Sequence, residues 1–243
     1  MKNQYALRAL LVTASLAGSA LTAHAVSFAG DFIAPAFTGT TDTDGWYDLN
    51  TTNFGSRGTF GTSTLAWSAP LDSNQSGAGD ATWNKLTGTS GYLTGAASNV
   101  LYSPNTLGTF IVADPTAVTG ITNVLFQISS TGDLGASAAT LSFNGGAQAL
   151  AADLTQLVFS GGVTTAFGPA TQYVWAYQWN LGSIAGSITD VAVTWTTAEP
   201  HNLTFGARLD QSSVFTAAIP EPSAFAALAG LGVLALATTR RRR

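Results

Sequence analysis

The sequence predicts an all-β protein in which residues 26–215 form a single antiparallel β-sandwich of the jelly-roll-like type. Three observations lead to this fold. Good helix formers other than Ala and Leu are scarce, because the 243 residues include two Lys and two Glu, whereas Gly, Thr and Ser abound. Short stretches alternate apolar and polar residues between turn-forming residues. No long stretch repeats its apolar residues every 3.6 positions, as an amphipathic helix would.

The predicted strands follow one another along the body, separated by turn-forming residues. Asn144-Gly145-Gly146 is the strongest hairpin-type turn among them. Besides strands, the pattern allows one short helix, near residues 147–156. In chain order the strands are expected at residues 64–67, 109–112, 124–128, 141–143, 157–159, 172–180, 191–195 and 203–209.

The first 25 residues predict a signal peptide. Lys2 and Arg8 form a positive start, and residues 9–21 are apolar and uncharged. Ala23 and Ala25 place small side chains at the two positions that signal peptidase reads, so cleavage is expected before Val26. The alternative is a permanent N-terminal anchor, which the shortness of the apolar run disfavours.

A second targeting segment follows residue 215. Residues 216–222 are predicted to be a spacer that ends in Pro220, Glu221 and Pro222. The prolines remove two backbone donors and favour an extended chain. Residues 223–239 form an uncharged apolar run of about 25 Å as a helix, close to the minimum for a transmembrane helix. Four basic residues then hold that end on the cytoplasmic side: Arg240, Arg241, Arg242 and Arg243.

The order of Pro-Glu-Pro, an apolar run and arginines resembles the PEP-CTERM sorting signal of Gram-negative bacteria. The resemblance covers about a tenth of the chain. It implies recognition by an exosortase, an integral-membrane enzyme with a cysteine nucleophile that removes the tail. It also implies export across the inner membrane, transient anchoring there, release to the cell surface or beyond, and frequent association with exopolysaccharide. The alternative is a plain tail anchor.

The body between the two targeting segments is strongly acidic. Residues 26–219 contain three basic and twelve acidic side chains, a formal net charge of −9. Such a surface repels nucleic acid, so we expect no nucleic-acid partner. The chain has no Cys, which excludes disulfides, thiolate catalysis and Cys-based zinc sites. We expect no cofactor.

One predicted strand carries a row of aromatic residues. Tyr173, Trp175, Tyr177 and Trp179 share one face by the two-residue period. Such a row can bind a glycan, because sugar rings stack on aromatic faces, or it can form the wall of a core. We favour the core, since Val174, Ala176 and Gln178 make the opposite face the poorer candidate.

Three carboxylates occur together near the start of the body. Asp42, Asp44 and Asp48 lie in a window that we expect to form a turn, and alternate Asp residues can supply calcium ligands. The window lacks the full spacing of a calcium loop and its distal Glu, and Asp also stabilises turns without metal. These residues are therefore only candidate calcium ligands.

Catalytic patterns are scarce. The body has one His, His201, and one Glu, Glu199, which flank Pro200 in an expected loop. A glycosidase needs two facing carboxyl groups, and no Gly-x-Ser-x-Gly elbow occurs. We therefore expect a non-enzymatic envelope or extracellular protein with a structural or matrix-interaction role. A carbohydrate-binding module that uses sheet aromatics is the alternative, and a surface hydrolase is the third.

Overall fold

The computed structural model describes residues 32–57, 67, 69–88, 91–95, 98–104 and 107–219. The predicted signal peptide, the transmembrane run and the terminal arginines lie outside these residues, as does the predicted strand 64–67 except for Trp67.

The described residues form thirteen strands and one helical turn. The turn is α1 (Thr51–Phe54), and its first N–H groups are capped by the Asn50 side chain. The strands are β1 (Thr41–Trp46), β2 (Leu71–Asp72), β3 (Thr82–Thr87), β4 (Tyr92–Leu93), β5 (Leu101–Ser103), β6 (Thr109–Asp114), β7 (Asn123–Ser130), β8 (Ala139–Phe143), β9 (Leu150–Ala151), β10 (Leu154–Thr165), β11 (Gly168–Asn180), β12 (Val191–Thr196) and β13 (Asn202–Ser212).

The strands form two antiparallel sheets. The seven-stranded sheet has the order β10-β11-β7-β13-β5-β4, with β1 also paired to β13. The six-stranded sheet has the order β2-β3-β6-β12-β8-β9. Neighbours in space are often distant in sequence, so the fold depends on long-range pairing rather than on a succession of hairpins.

The core lies between the two sheets and is rich in aromatic residues. Trp195 on β12 lies 5.5 Å from Trp83, 5.8 Å from Phe110 and 4.9 Å from Phe126, measured between ring centroids. Phe126 belongs to the seven-stranded sheet and the other three rings to the six-stranded sheet. The rings thus join the two inner faces in one cluster, which confirms the predicted all-β sandwich.

Strand β13 occupies the centre of the seven-stranded sheet. One edge pairs with β7, while the other pairs first with β5 and then with β1. The pairing with β7 shifts register between Thr204 and Gly206. A Cβ at Gly206 would lie 2.7 Å from the Trp46 carbonyl oxygen, so only glycine allows β1 to approach so closely.

Two sequence expectations are wrong. Residues 147–156 form no helix; they contribute β9 and the start of β10, because Leu154 and its successors pair with β11. The window around Asp42 is not a turn but strand β1, whose residues pair with Ala207 to Ser212 of β13. In both cases pairing with a distant strand overrides the local preference.

Candidate functional site

The proposed sorting residues Pro220, Glu221 and Pro222 lie outside the described residues, as do Ala23 and Ala25. The chain is described up to Ile219, within the predicted spacer. The described part of that spacer, residues 216–219, stays in contact with the body.

Gln178 on β11 binds the last described residues. Its side-chain oxygen accepts hydrogen bonds from the backbone N–H groups of Ala218 (3.0 Å) and Ile219 (3.2 Å). Its Nε2 donates to the Thr216 carbonyl oxygen (2.7 Å). Ile219 is buried against Leu125 and Ala176. The chain is therefore fixed to the body immediately before Pro220.

A second segment covers the same outer face. Gln127 on β7 accepts a hydrogen bond from the Ile33 N–H (2.7 Å) and donates one to the Ile33 carbonyl (2.9 Å). Ile33 and Phe37 pack beside Leu125 and Ala176. The face of β11 that carries Val174, Ala176 and Gln178, which the sequence indicated as the poorer core candidate, is therefore also buried. Both ends of the described body lie across it.

The aromatic row on β11 divides into two parts. Tyr177 and Trp179 are fully buried in the main core, whereas Trp175 is half-buried and packs at its edge. Their polar atoms bond to covering segments: Trp175 Nε1 to Asp133 (2.8 Å), Tyr177 Oη to the Gly135 carbonyl (2.7 Å) and Trp179 Nε1 to the Leu150 carbonyl (3.0 Å). These three rings therefore form no open platform.

Tyr173, the remaining member of the row, lines an open groove of about 750 Å³. The groove lies between the tip of the β10–β11 hairpin and the turn that contains Glu199 and His201. Phe167 at the hairpin tip is 54% exposed, and its ring stacks on Tyr102 at 4.8 Å with an interplanar angle of 27°.

Polar groups accompany the rings in this groove. Tyr102 Oη lies 2.6 Å from His201 Nδ1, and the two rings are nearly parallel at 28°. Glu199 is the only carboxylate among the described residues that line the groove. The groove combines accessible aromatic faces with a few polar groups, a composition typical of small-ligand and sugar sites.

A second cluster lies in the interior. Asp42 and Asp44 share with the core residue Trp46 one face of β1, and Asp114 ends β6 in the opposite sheet. Their carboxylate oxygens lie within 4.8 Å of one another. Asp48, the third predicted calcium ligand, is exposed and has a positive backbone φ, and it is not part of the cluster.

Two of these carboxylates are fully buried. Asp114 accepts hydrogen bonds from the Thr116 N–H (2.7 Å) and from Gln211 Nε2. Neither oxygen of Asp44 has a hydrogen-bond partner among the described residues. Burial, followed by the charges of Asp42 and Asp114, raises the pKa of Asp44 to about 7. Two ionised carboxylates no more than 4.8 Å apart repel by at least about 3.5 kcal/mol at an effective dielectric constant of about 20.

The sequence did not identify Tyr102, Phe167 or Asp114 as site residues. Phe167 carries a usable signal, since an aromatic residue directly before Gly168 at a hairpin tip has little chance of burial. The Asp114-Pro115 pair indicates the end of a strand but not the partners of Asp114. Tyr102 has no local signal, because strand pairing places it in the groove.

Comparison with known proteins gives one finding. Residues 218–243 match the family model described as the PEP-CTERM protein-sorting motif, and the body matches no other family model. No curated protein and no solved structure matches the chain. Within the part that the structure describes, no helix has the length and apolar character needed to cross a membrane. The predicted resemblance is confirmed: residues 218–243 are a PEP-CTERM protein-sorting motif, which implies an exported protein that an exosortase sorts.

Proposed function

We propose that the protein is a non-enzymatic component of the cell envelope or extracellular matrix, with a structural or matrix-interaction role. The observation that carries this proposal is the sorting motif at residues 218–243, whose first two residues, Ala218 and Ile219, are hydrogen-bonded to a folded sandwich. Exopolysaccharide is the matrix partner that we propose, and signal peptidase is the enzyme that would remove residues 1–25.

The groove lining supports a role without catalysis. Glycoside hydrolysis requires two carboxyl groups across a cleft, separated by about 5–9.5 Å. Among the described lining residues only Glu199 supplies a carboxylate. His201 lies beside Tyr102 rather than between a nucleophile and an acid.

A comparison of cells with and without the protein tests this role. We expect the exported form to fractionate with extracellular polysaccharide, and cells that lack it to lose more polysaccharide on washing, because a cross-linking component is missing. Re-expression of the wild-type chain should restore retention. Release of reducing sugars when the purified exported form is added to that polysaccharide would instead indicate a hydrolase.

Carbohydrate binding at the groove is the second candidate function, and the exposed stack of Phe167 on Tyr102 favours it. The faces of aromatic rings carry partial negative charge, so the weakly positive C–H groups of a sugar ring stack on them. The glycan-binding residues would then be Tyr102, Phe167 and Tyr173 rather than Trp175, Tyr177 and Trp179.

Substitution of Phe167 by alanine tests the groove. We expect binding of the purified body to surface polysaccharide to weaken at least about fivefold, because an aromatic anchor is lost, while the melting temperature stays unchanged. Leu157→Ala is the matched control, since Leu157 is also exposed, at 39%, but lies outside the groove. Equal binding by wild type and Phe167→Ala in affinity electrophoresis contradicts this second function.

A further inference from the structure

We propose that Asp42, Asp44 and Asp114 bind one calcium ion between the two sheets. The three carboxylates belong to two strands, β1 and β6, that lie in different sheets. The site is independent of the sorting motif and of the aromatic groove.

The spacing of the oxygens suits calcium. Ca²⁺ binds oxygen ligands at about 2.3–2.6 Å, so one ion can bridge oxygens that lie up to about 5 Å apart. The carboxylate oxygens of the three residues satisfy this condition, because they lie within 4.8 Å of one another.

Asp44 provides the independent evidence for a ligand. Its side chain is 0% exposed and points to Asp42 and Asp114, yet within the part of the chain that the structure describes both of its oxygens lack a hydrogen-bond partner. Buried carboxylates are normally satisfied by donors or by a cation. The Ala81 backbone N–H and the Ser73 side chain lie near Asp44 as weak donors that lower its pKa, but among the described residues neither reaches the distance and angle of a hydrogen bond with it. A cation would satisfy both oxygens and cancel the repulsion among the three charges.

The fold already orients the other two proposed ligands, Asp114 and Asp42. Asp114 is held by the Thr116 N–H and by Gln211, and one Asp42 oxygen accepts the Thr43 N–H at 2.8 Å. Gly79 lies directly against Asp42, where a Cβ would clash with a carboxylate oxygen. Asp42 is only half-buried, so water can reach the ion from its side and complete the coordination.

The chemistry of the site favours calcium over other common ions. Zinc prefers nitrogen and sulfur ligands, and the cluster offers only oxygens. Magnesium retains several waters in a strict octahedral shell, for which two fully buried carboxylates leave little room. Extracellular modules bind calcium with dissociation constants of about 10⁻⁴–10⁻³ M, a range that suits an exported protein.

Calcium titration of the full-length protein in mild detergent, after removal of metals with EDTA, tests the proposal. We expect calorimetry to give one calcium per chain. At a calcium concentration about 100 times the dissociation constant, the melting temperature should rise by about 5–10 °C, because the ion binds only the folded state. Magnesium at the same concentration should give a smaller rise.

The Asp44→Asn variant should lose the calcium-dependent rise. Without calcium it should melt no lower than the wild type, since one of three repelling carboxylates becomes neutral. Asp48→Asn is the matched control and should keep the full rise, because Asp48 is exposed and outside the cluster. Should Asp44→Asn fail to fold, Asp114→Asn replaces it. The proposal is overturned if calorimetry detects no heat of calcium binding to the wild type. It is also overturned if the calcium-dependent rise in melting temperature persists in both Asp44→Asn and Asp114→Asn.

Discussion

Replacement of Trp195 by alanine is expected to lower the free energy of unfolding by about 3–5 kcal/mol. Trp195 is 2% exposed and contacts rings from both sheets, so its removal leaves a cavity at the centre of the sandwich. Small domains are stable by only about 5–15 kcal/mol, so this one change removes a large share of the total. The expected effect is larger than for Trp175, which is only half-buried at the edge of the core.

Urea unfolding of the purified body, residues 26–219, measures this loss. Trp195→Phe is the matched control, because it keeps an aromatic ring and removes an indole N–H that has no hydrogen-bond partner among the residues that the structure describes. We expect the phenylalanine variant to lose less than about half as much stability. An alanine variant that unfolds at the wild-type midpoint would show that the rings do not form the structural centre.

Simultaneous replacement of Pro220 and Pro222 by alanine is expected to leave most of the protein unprocessed in the inner membrane. The two rings fix the backbone on either side of Glu221, which lowers the entropy lost when an enzyme binds an extended chain. The Gln178 contacts act in the same direction, because they hold the chain up to Ile219 and so limit where the motif is presented.

Fractionation of cells that contain an exosortase, followed by mass spectrometry, measures this outcome. The wild-type surface form should lack residues 223–243, and the double proline variant should retain them. Ser223→Ala is the matched control, since it changes the residue after Pro222, leaves Pro-Glu-Pro intact and keeps the apolar run uncharged. A wild-type surface form that retains the intact tail would show that residues 223–243 serve only as an anchor.

Local sequence patterns predicted many of the strands. The alternating stretches near residues 109–112, 124–128, 172–180, 191–195 and 203–209 all lie in strands of the structure. Strands β1 to β5 and β9 were not predicted, because Asp, Gly and Asn obscure their alternation or because they are short. Their formation depends on partners such as β13 rather than on their own residues.

The sequence by itself determined the fold class and the sorting motif, because each depends on residues that are close together in the chain. The fold class follows from apolar alternation between turns, and the sorting motif consists of Pro-Glu-Pro, an apolar run and arginines. Only the tertiary structure decided which side chains meet. It placed Asp114 rather than Asp48 beside Asp44, opened a groove at Phe167 and buried both faces of β11 at residues 176–179. The physical reason is that these contacts join strands far apart along the chain, and their pairing minimises exposed apolar surface and unpaired backbone groups over the whole sandwich.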